Sequence, residues 1–183
     1  GFEQLTIDGC TSTNDTVLLM SSGAAGGPPV ETDSPEWAQI ASAMRGMADD
    51  LAHQMAADAE GGTKVLTVDV VDAASAETAE KIAYAVASSV LVKTAIFGGD
   101  PNPGRIVQAV GASGASFDPE SVKIWLGDVL VADGRLIPEG AKDSPLADAV
   151  VAQPEIAVRI EMHAGDNTAR AIGCDLSYEY VKI

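Results

Sequence analysis

The chain carries few of the residues that announce a specialised scaffold: two cysteines, three phenylalanines, three tyrosines and two tryptophans among 183 residues, with 11 basic side chains against 27 acidic ones. Cys10 and Cys174 stand far apart and outside any Cys-x-x-Cys pair, which argues against a disulfide framework and against a zinc site. A reducing, cytoplasmic location is the corresponding expectation. No apolar run approaches the roughly 18 residues of a membrane span, and the N-terminus lacks the basic-then-apolar pattern of a signal peptide. In that setting the match of Asn14-Asp15-Thr16 to a glycosylation sequon is accidental. The net charge of −16 repels phosphate backbones and anionic membranes, so neither nucleic acid nor membrane is expected as a partner. A cationic small molecule suits it better. The acids are scattered, as on a solvated surface, and the scarcity of aromatics beside abundant alanine fits either closely packed helices or genomic bias.

A chain of this length buries roughly 70% of its unfolded surface, enough for one domain or for two intimate lobes divided at residues 97/98. Phe2 to Ile7 alternates weakly and stops at Asp8-Gly9, while Val17 to Met20 is an apolar run of the kind found in a fully covered strand. The two predict a hairpin whose loop is the polar stretch between them. Ser21 to Asp33, with its glycines and prolines, reads as an exposed connection. Ser34-Pro35 starts a helix, and Trp37, Ile40, Ala41, Met44, Ala48, Leu51 and Met55 recur at helical spacing up to about Ala59, before Gly61-Gly62. Val65 to Val71 reads as a strand, and Ser75 caps a second helix with the apolar face Ala79, Ile82, Ala83, Val86 and Val90. Asn102-Pro103 opens a short helix through Val110, and Ser144-Pro145 opens another. Val122–Leu126 and Val129–Ala132 flank Gly127-Asp128 as a hairpin, and Ile156, Val158, Ile160 and Met162 alternate with polar neighbours up to a turn near Gly165. Long helices mixed with antiparallel hairpins predict an α+β layered sandwich rather than a doubly wound parallel sheet. No internal repeat is present.

Glu60 is the leading site candidate. With Asp58 it falls at the end of the long helix, where unpaired carbonyls already make the potential negative and a carboxylate is disfavoured. A bound ammonium group accounts for an acid there; so does an ordinary surface pair with Lys64, worth well under about 1 kcal/mol. Thr11, Ser12, Thr13 and Thr16 supply hydroxyls, and Asn14 and Asp15 can orient a substrate through charge-assisted hydrogen bonds or simply stitch the loop through Asx-turns. The segment Gly98 to Arg105 is glycine-rich but lacks the lysine and hydroxyl of a P-loop, and reads as structural, with Arg105 a salt-bridge partner for Asp100. Asp49 and His53 share a helix face without a further histidine, and His163 is alone on its strand, so no metal is expected. No Gly-x-Ser-x-Gly elbow occurs.

Three strings in fixed order, Asp8 to Met20 (DGCTSTNDTVLLM), Asp58 to Lys64 (DAEGGTK) and Leu91 to Arg105 (LVKTAIFGGDPNPGR), resemble the beta chain of the ornithine acetyltransferase (glutamate N-acetyltransferase) family of arginine biosynthesis. The resemblance extends more loosely over nearly the whole chain. It implies a helix-sheet-sheet-helix sandwich of the self-cleaving N-terminal-nucleophile type, and acetyl transfer from N2-acetylornithine to glutamate through an acetyl-threonine. It implies that the glutamate of the DAEG string, Glu60, binds the amino-acid substrate, and that Thr13, Asn14 and Asp15 lie close to the active site. The implied partners are the alpha chain of the same precursor, in an alpha2beta2 assembly; no cofactor is implied beyond acetyl-CoA as an alternative donor used by some members.

The chain departs from the family pattern at Pro103, where tryptophan is usual, and at both ends. The family's beta chain starts some tens of residues before Gly1 with its threonine nucleophile, and runs past Ile183 to an asparagine and a hydroxyl that contact substrate. The oxyanion donors belong to the alpha chain. The expectation is therefore most of an acyltransferase beta chain, trimmed at both ends and inactive by itself. The competing expectation is a noncatalytic α+β binding or assembly module built on the same fold. An aminopeptidase of the same superfamily is a third class, disfavoured because it lacks the DGCTSTNDT and DAEGGTK strings.

Overall fold

A computed structural model of the protein describes residues 1–141 and 144–183. After a single 3-10 turn the elements run β1 (Leu5–Thr6), α1 (Pro35–Ala57), β2 (Val65–Ala73), α2 (Ala76–Ala87), α3 (Val90–Phe97), α4 (Pro103–Gly111), β3 (Lys123–Leu126), β4 (Val129–Asp133), α5 (Pro145–Val151), β5 (Glu155–Glu161), β6 (Asn167–Cys174) and α6 (Tyr178–Lys182). All six strands form one sheet in the order β1-β6-β2-β5-β3-β4. β1 runs parallel to β6 and β2 parallel to β5, while β2 with β6, β3 with β5 and β3 with β4 are antiparallel. This is the expected α+β layered class, and the hairpin across Gly127-Asp128 is present. Strands from the first and second halves of the sequence interleave in the one sheet.

Helix starts follow their signals. Ser34, Ser75 and Ser144 accept through Oγ from the backbone N–H three residues on, and Asn102 accepts from Arg105 through its side-chain oxygen. Each satisfies a donor that the first helical turn leaves free. The long helix α1 ends at Ala57, two residues short of the expected Ala59, with Asp58 as its C-cap. One face of the sheet carries Leu66, Val68, Val70, Ile124, Leu126, Ile156, Val158 and Ile160 against Ala79, Ile82, Ala83 and Val86 of α2 and Ile106, Ala109 and Val110 of α4. The alternation expected along β5 is this buried face.

Three expectations are corrected. Val17 to Met20 forms no strand and lies in the open, Met20 at 86% exposure. The hairpin with β1 therefore does not exist: β1 pairs with β6 instead, and it forms an edge of the sheet. The apolar stripe of α1 is exposed as well, with Trp37, Ile40, Met44, Met47, Leu51 and Met55 between 36% and 56% accessible. Only the last turns of α1 touch the sheet, where Ala56 packs with Val65 and Ile172 on the face opposite α2. Val90, assigned to the face of α2, belongs to α3 and is exposed.

Ile160→Ala, deep in the sheet core, is expected to lower stability by about 2–5 kcal/mol. Ile40→Ala on the open stripe of α1 should change it by no more than about 0.5 kcal/mol. Urea unfolding of the two variants checks the pair, and a reversed ranking would contradict the burial described here.

Candidate functional site

Antiparallel pairing of β2 with β6 sets Val65 opposite Cys174, and parallel pairing of β1 with β6 sets Thr6 opposite Gly173. Three stretches therefore leave the sheet at one end: residues 7–16 after β1, residues 58–64 before β2, and residues 175–180 after β6. They carry the polar strings of the sequence.

Asp8 joins the first and third. Its Oδ1 accepts from the Cys10 backbone N–H at 2.8 Å, and its Oδ2 accepts from the Tyr180 hydroxyl at 2.9 Å. These donors, the Cys10 amide foremost, hold the Asp8 carboxyl below the ordinary carboxylate value. The same contact pushes the Tyr180 hydroxyl up, and the negative charge of Glu60 adds to the rise. The backbone next to Glu60 approaches this turn as well: a Cβ on Gly61 would stand 2.4 Å from Tyr180 N.

The hydroxyl loop is stitched to itself. The Asn14 backbone N–H donates to Ser12 Oγ at 3.1 Å, the Thr16 hydroxyl donates to Asn14 O at 3.1 Å, and Thr13 Oγ1 reaches Asn14 Oδ1 at 3.4 Å. Asn14, Asp15 and Thr16 face a cavity of about 910 Å³ whose apolar floor includes Leu51, Met55 and Tyr84. Thr13 is outside that lining, and so is Glu60. The buried Thr6 hydroxyl borders the same space and bonds no polar atom among the described residues.

Glu60 stands in the turn beyond α1 rather than in its last turn, exposed, two residues past the Asp58 cap. Lys64 does not neutralise it. The Lys64 ammonium donates to Val151 O at 2.7 Å and to Ile96 O at 2.8 Å, at the C-terminal ends of α5 and α3. There it meets the negative ends of two helix dipoles. Among the described residues no ion pair forms to Glu60. The expected surface pair with Lys64 is therefore absent.

Asp175 and Lys93 were not anticipated. Asp175, 2% exposed, accepts from Thr63 N at 2.7 Å, Thr63 Oγ1 at 2.5 Å and Lys64 N at 3.0 Å. Lys93, 3% exposed, donates to Cys174 O and lies 3.7 Å from Cys174 Sγ. Burial lowers the Lys93 ammonium and raises the Cys174 thiol. A lone lysine inside the apolar run Val90 to Phe97 was the available signal for Lys93, and an acid directly after an apolar strand the signal for Asp175. Arg105 forms no pair with Asp100; it donates to Leu91 O at 2.8 Å and Thr94 Oγ1 at 3.1 Å, joining α4 to α3. His53 lies 3.5 Å from Glu155.

A layered α+β chain with an acidic, hydroxyl-rich candidate site assembled from loops at one end of its sheet is the class these features define. The sequence profile of the ArgJ family matches residues 1–183. The chain belongs to the ArgJ family. It is similar to the arginine biosynthesis bifunctional protein ArgJ of Geobacillus stearothermophilus, 42% identical over 182 residues, which covers 100% of this chain and 44% of that protein. The ArgJ of Symbiobacterium thermophilum is 43% identical over 183 residues, covering 100% of this chain and 45% of the relative. Among solved structures, that of the ArgJ of Bacillus halodurans superposes with a TM-score of 0.91 at 37% identity, over 99% of this chain and 84% of that one. The chain spans somewhat under half the length of the curated relatives it matches.

Tyr180→Phe removes one of the two donors that hold Asp8 down, so the Asp8 carboxyl should titrate closer to 3.8. Because the folded value is depressed, any stability from this contact is present above pH 3.8 and is lost as pH falls through the folded value. Carboxyl-carbon NMR titration of the two proteins measures the difference; an unshifted Asp8 would show the hydroxyl to be a bystander.

Proposed function

We propose that the chain forms the substrate-recognising wall of an acyltransferase that carries acetyl from N2-acetylornithine to glutamate in arginine biosynthesis. The observation that carries this reading is the Glu60 carboxylate: exposed, beyond the negative end of α1, and deprived of its expected neutraliser because Lys64 is committed to two helix ends. A carboxylate so placed attracts an ammonium group, and ornithine carries one at the end remote from the acetylated nitrogen. The excess of acidic over basic residues favours the approach of such a substrate. Membership of a family whose members are named for arginine biosynthesis supports the same choice.

In this reading the chemistry is covalent catalysis in two steps. A threonine hydroxyl at the start of a processed chain attacks the acetyl carbonyl while the threonine amine takes the proton. Oxyanion donors hold the tetrahedral intermediate, which collapses to acetyl-threonine and free ornithine. The glutamate amine then attacks the ester and regenerates the hydroxyl. The nucleophile and the oxyanion donors belong to the part of the longer relatives that this chain does not span. Glu60 holds the ornithine ammonium, while Asn14 and Asp15, on the cavity, position the acceptor side and Thr13 supports Asn14 from outside it. No cofactor takes part; acetyl-CoA, where accepted, enters as an alternative donor at the same threonine.

The partner in this reading is the alpha portion of the same precursor, in an alpha2beta2 assembly. Support comes from the surfaces that the chain leaves open: the stripe on α1, the run Val17 to Met20, and the unpaired edge of β1.

Glu60→Gln in the full-length protein should weaken use of N2-acetylornithine by about 1.5–3 kcal/mol in kcat/KM, the worth of a hydrogen bond to a charged group. Unchanged steady-state kinetics would return Glu60 to the solvated surface. By itself the 183-residue chain should transfer no acetyl group. In a Trp125→Phe background, Trp37 emission should move to shorter wavelength when the alpha portion is added. Acetyl transfer by the chain alone, or an unmoved Trp37 spectrum, would contradict this division of labour.

A further inference from the structure

The backbone that carries Glu60 has little of its own to hold it. Residues 58–64 lie between the end of α1 and the start of β2; locally the Asp58 N–H bonds Gln54 O at 3.0 Å, the Ala59 N–H bonds Ala56 O at 3.4 Å and the Gly62 N–H bonds Ala59 O at 2.8 Å. Apart from the Lys64 ammonium on α3 and α5, the long-range support comes from the stretch after β6. Asp175 takes both backbone N–H groups of Thr63 and Lys64 and the Thr63 hydroxyl, and its own N–H donates to Lys64 O at 3.1 Å. Ser177 Oγ donates to Gly61 O. Gly61, at φ +67°, lies so close to the next turn that a Cβ would stand 2.4 Å from Tyr180 N.

Asp175 is itself held on both sides. The buried Lys93 ammonium binds Cys174 O, and the Leu176 N–H donates to Lys93 O at 3.3 Å. The first turn of α3 therefore grips the residues before and after Asp175. A buried carboxylate that satisfies three donors on one adjoining loop fixes that loop strongly, because each donor would otherwise be left unpaired.

We propose that Asp175, braced by Lys93, is the positioning residue for Glu60: it latches the loop 60–64 so that the Glu60 carboxylate is presented to the ammonium of the substrate. The inference rests on the reading of Glu60 given above. It extends the recognition site to two buried charges that touch no substrate.

The test uses the full-length protein with five variants: Asp175→Asn, Glu60→Gln, the double variant, and Thr63→Val with Thr63→Ser as its conservative control. Asp175→Asn should accelerate amide exchange at Thr63 and Lys64 at least tenfold, and raise KM for N2-acetylornithine by roughly tenfold with kcat within about threefold, the scale of a lost charged hydrogen bond. The double variant should be no worse in KM than Glu60→Gln alone, since both act through one carboxylate. Thr63→Val should reproduce the KM effect in part, and Thr63→Ser should restore it. If Asp175→Asn does not fold, the Thr63 pair decides the matter by the same readouts. A KM that rises in Glu60→Gln and is unmoved in Asp175→Asn, or in Thr63→Val, overturns the latch and leaves the Glu60 reading standing. Full additivity in the double variant overturns it too, because Asp175 then acts elsewhere. A KM unmoved by Glu60→Gln overturns both.

Discussion

The antiparallel pairing of β2 with β6 is the constraint on which the site depends. Because Cys174 is opposite Val65, the chain must enter β2 and leave β6 at the same end of the sheet. β1, running parallel to β6, delivers its own exit there as well. The loop after α1, the hydroxyl loop and the stretch that follows β6 converge for no other reason. A slip of one residue in this register would turn Leu66, Val68 and Val70 away from α2 and separate Asp175 from Thr63. The core and the site are thus specified by the same strand pair.

Burial explains which elements the sequence revealed. β5 was legible because one face meets the core and the other does not, so hydrophobicity alternates, and the hairpin β3–β4 because Gly127-Asp128 separates two apolar runs. Helix starts were legible because serine or asparagine followed by proline acts locally. The faces were harder. The stripe along α1 has helical period, and period alone says that a face wants cover, not where the cover comes from; in this chain it faces outward. Val17 to Met20 shows the same limit in a shorter run. β6 escaped because only its first half alternates, its second half being buried throughout, and α3 escaped because its residues are apolar on nearly every side.

The candidate site was legible to the extent that its residues stand in recognisable strings. Asn14, Asp15 and Glu60 could be picked out, although Thr13 and Asn14 spend much of their hydrogen-bonding capacity on their own loop. Asp175 and Lys93 could not. Their significance lies in contacts across more than 80 residues of sequence, and neither carries a local mark beyond a charge placed in apolar surroundings. Family resemblance picked out the candidate residues; the hydrogen bonds show what holds the Glu60 loop in place.

The Lys64 ammonium caps α3 through Ile96 O and α5 through Val151 O while the Lys64 backbone N–H is bound by Asp175. Neither helix end can fray without stranding a cation that also anchors the loop 58–64. The two termini and the loop should accordingly open as one cooperative unit, protected to a common degree, and not as three independently breathing segments. A single side chain so shared makes the rigidity of the loop that carries Glu60 a property of helices that are distant in sequence.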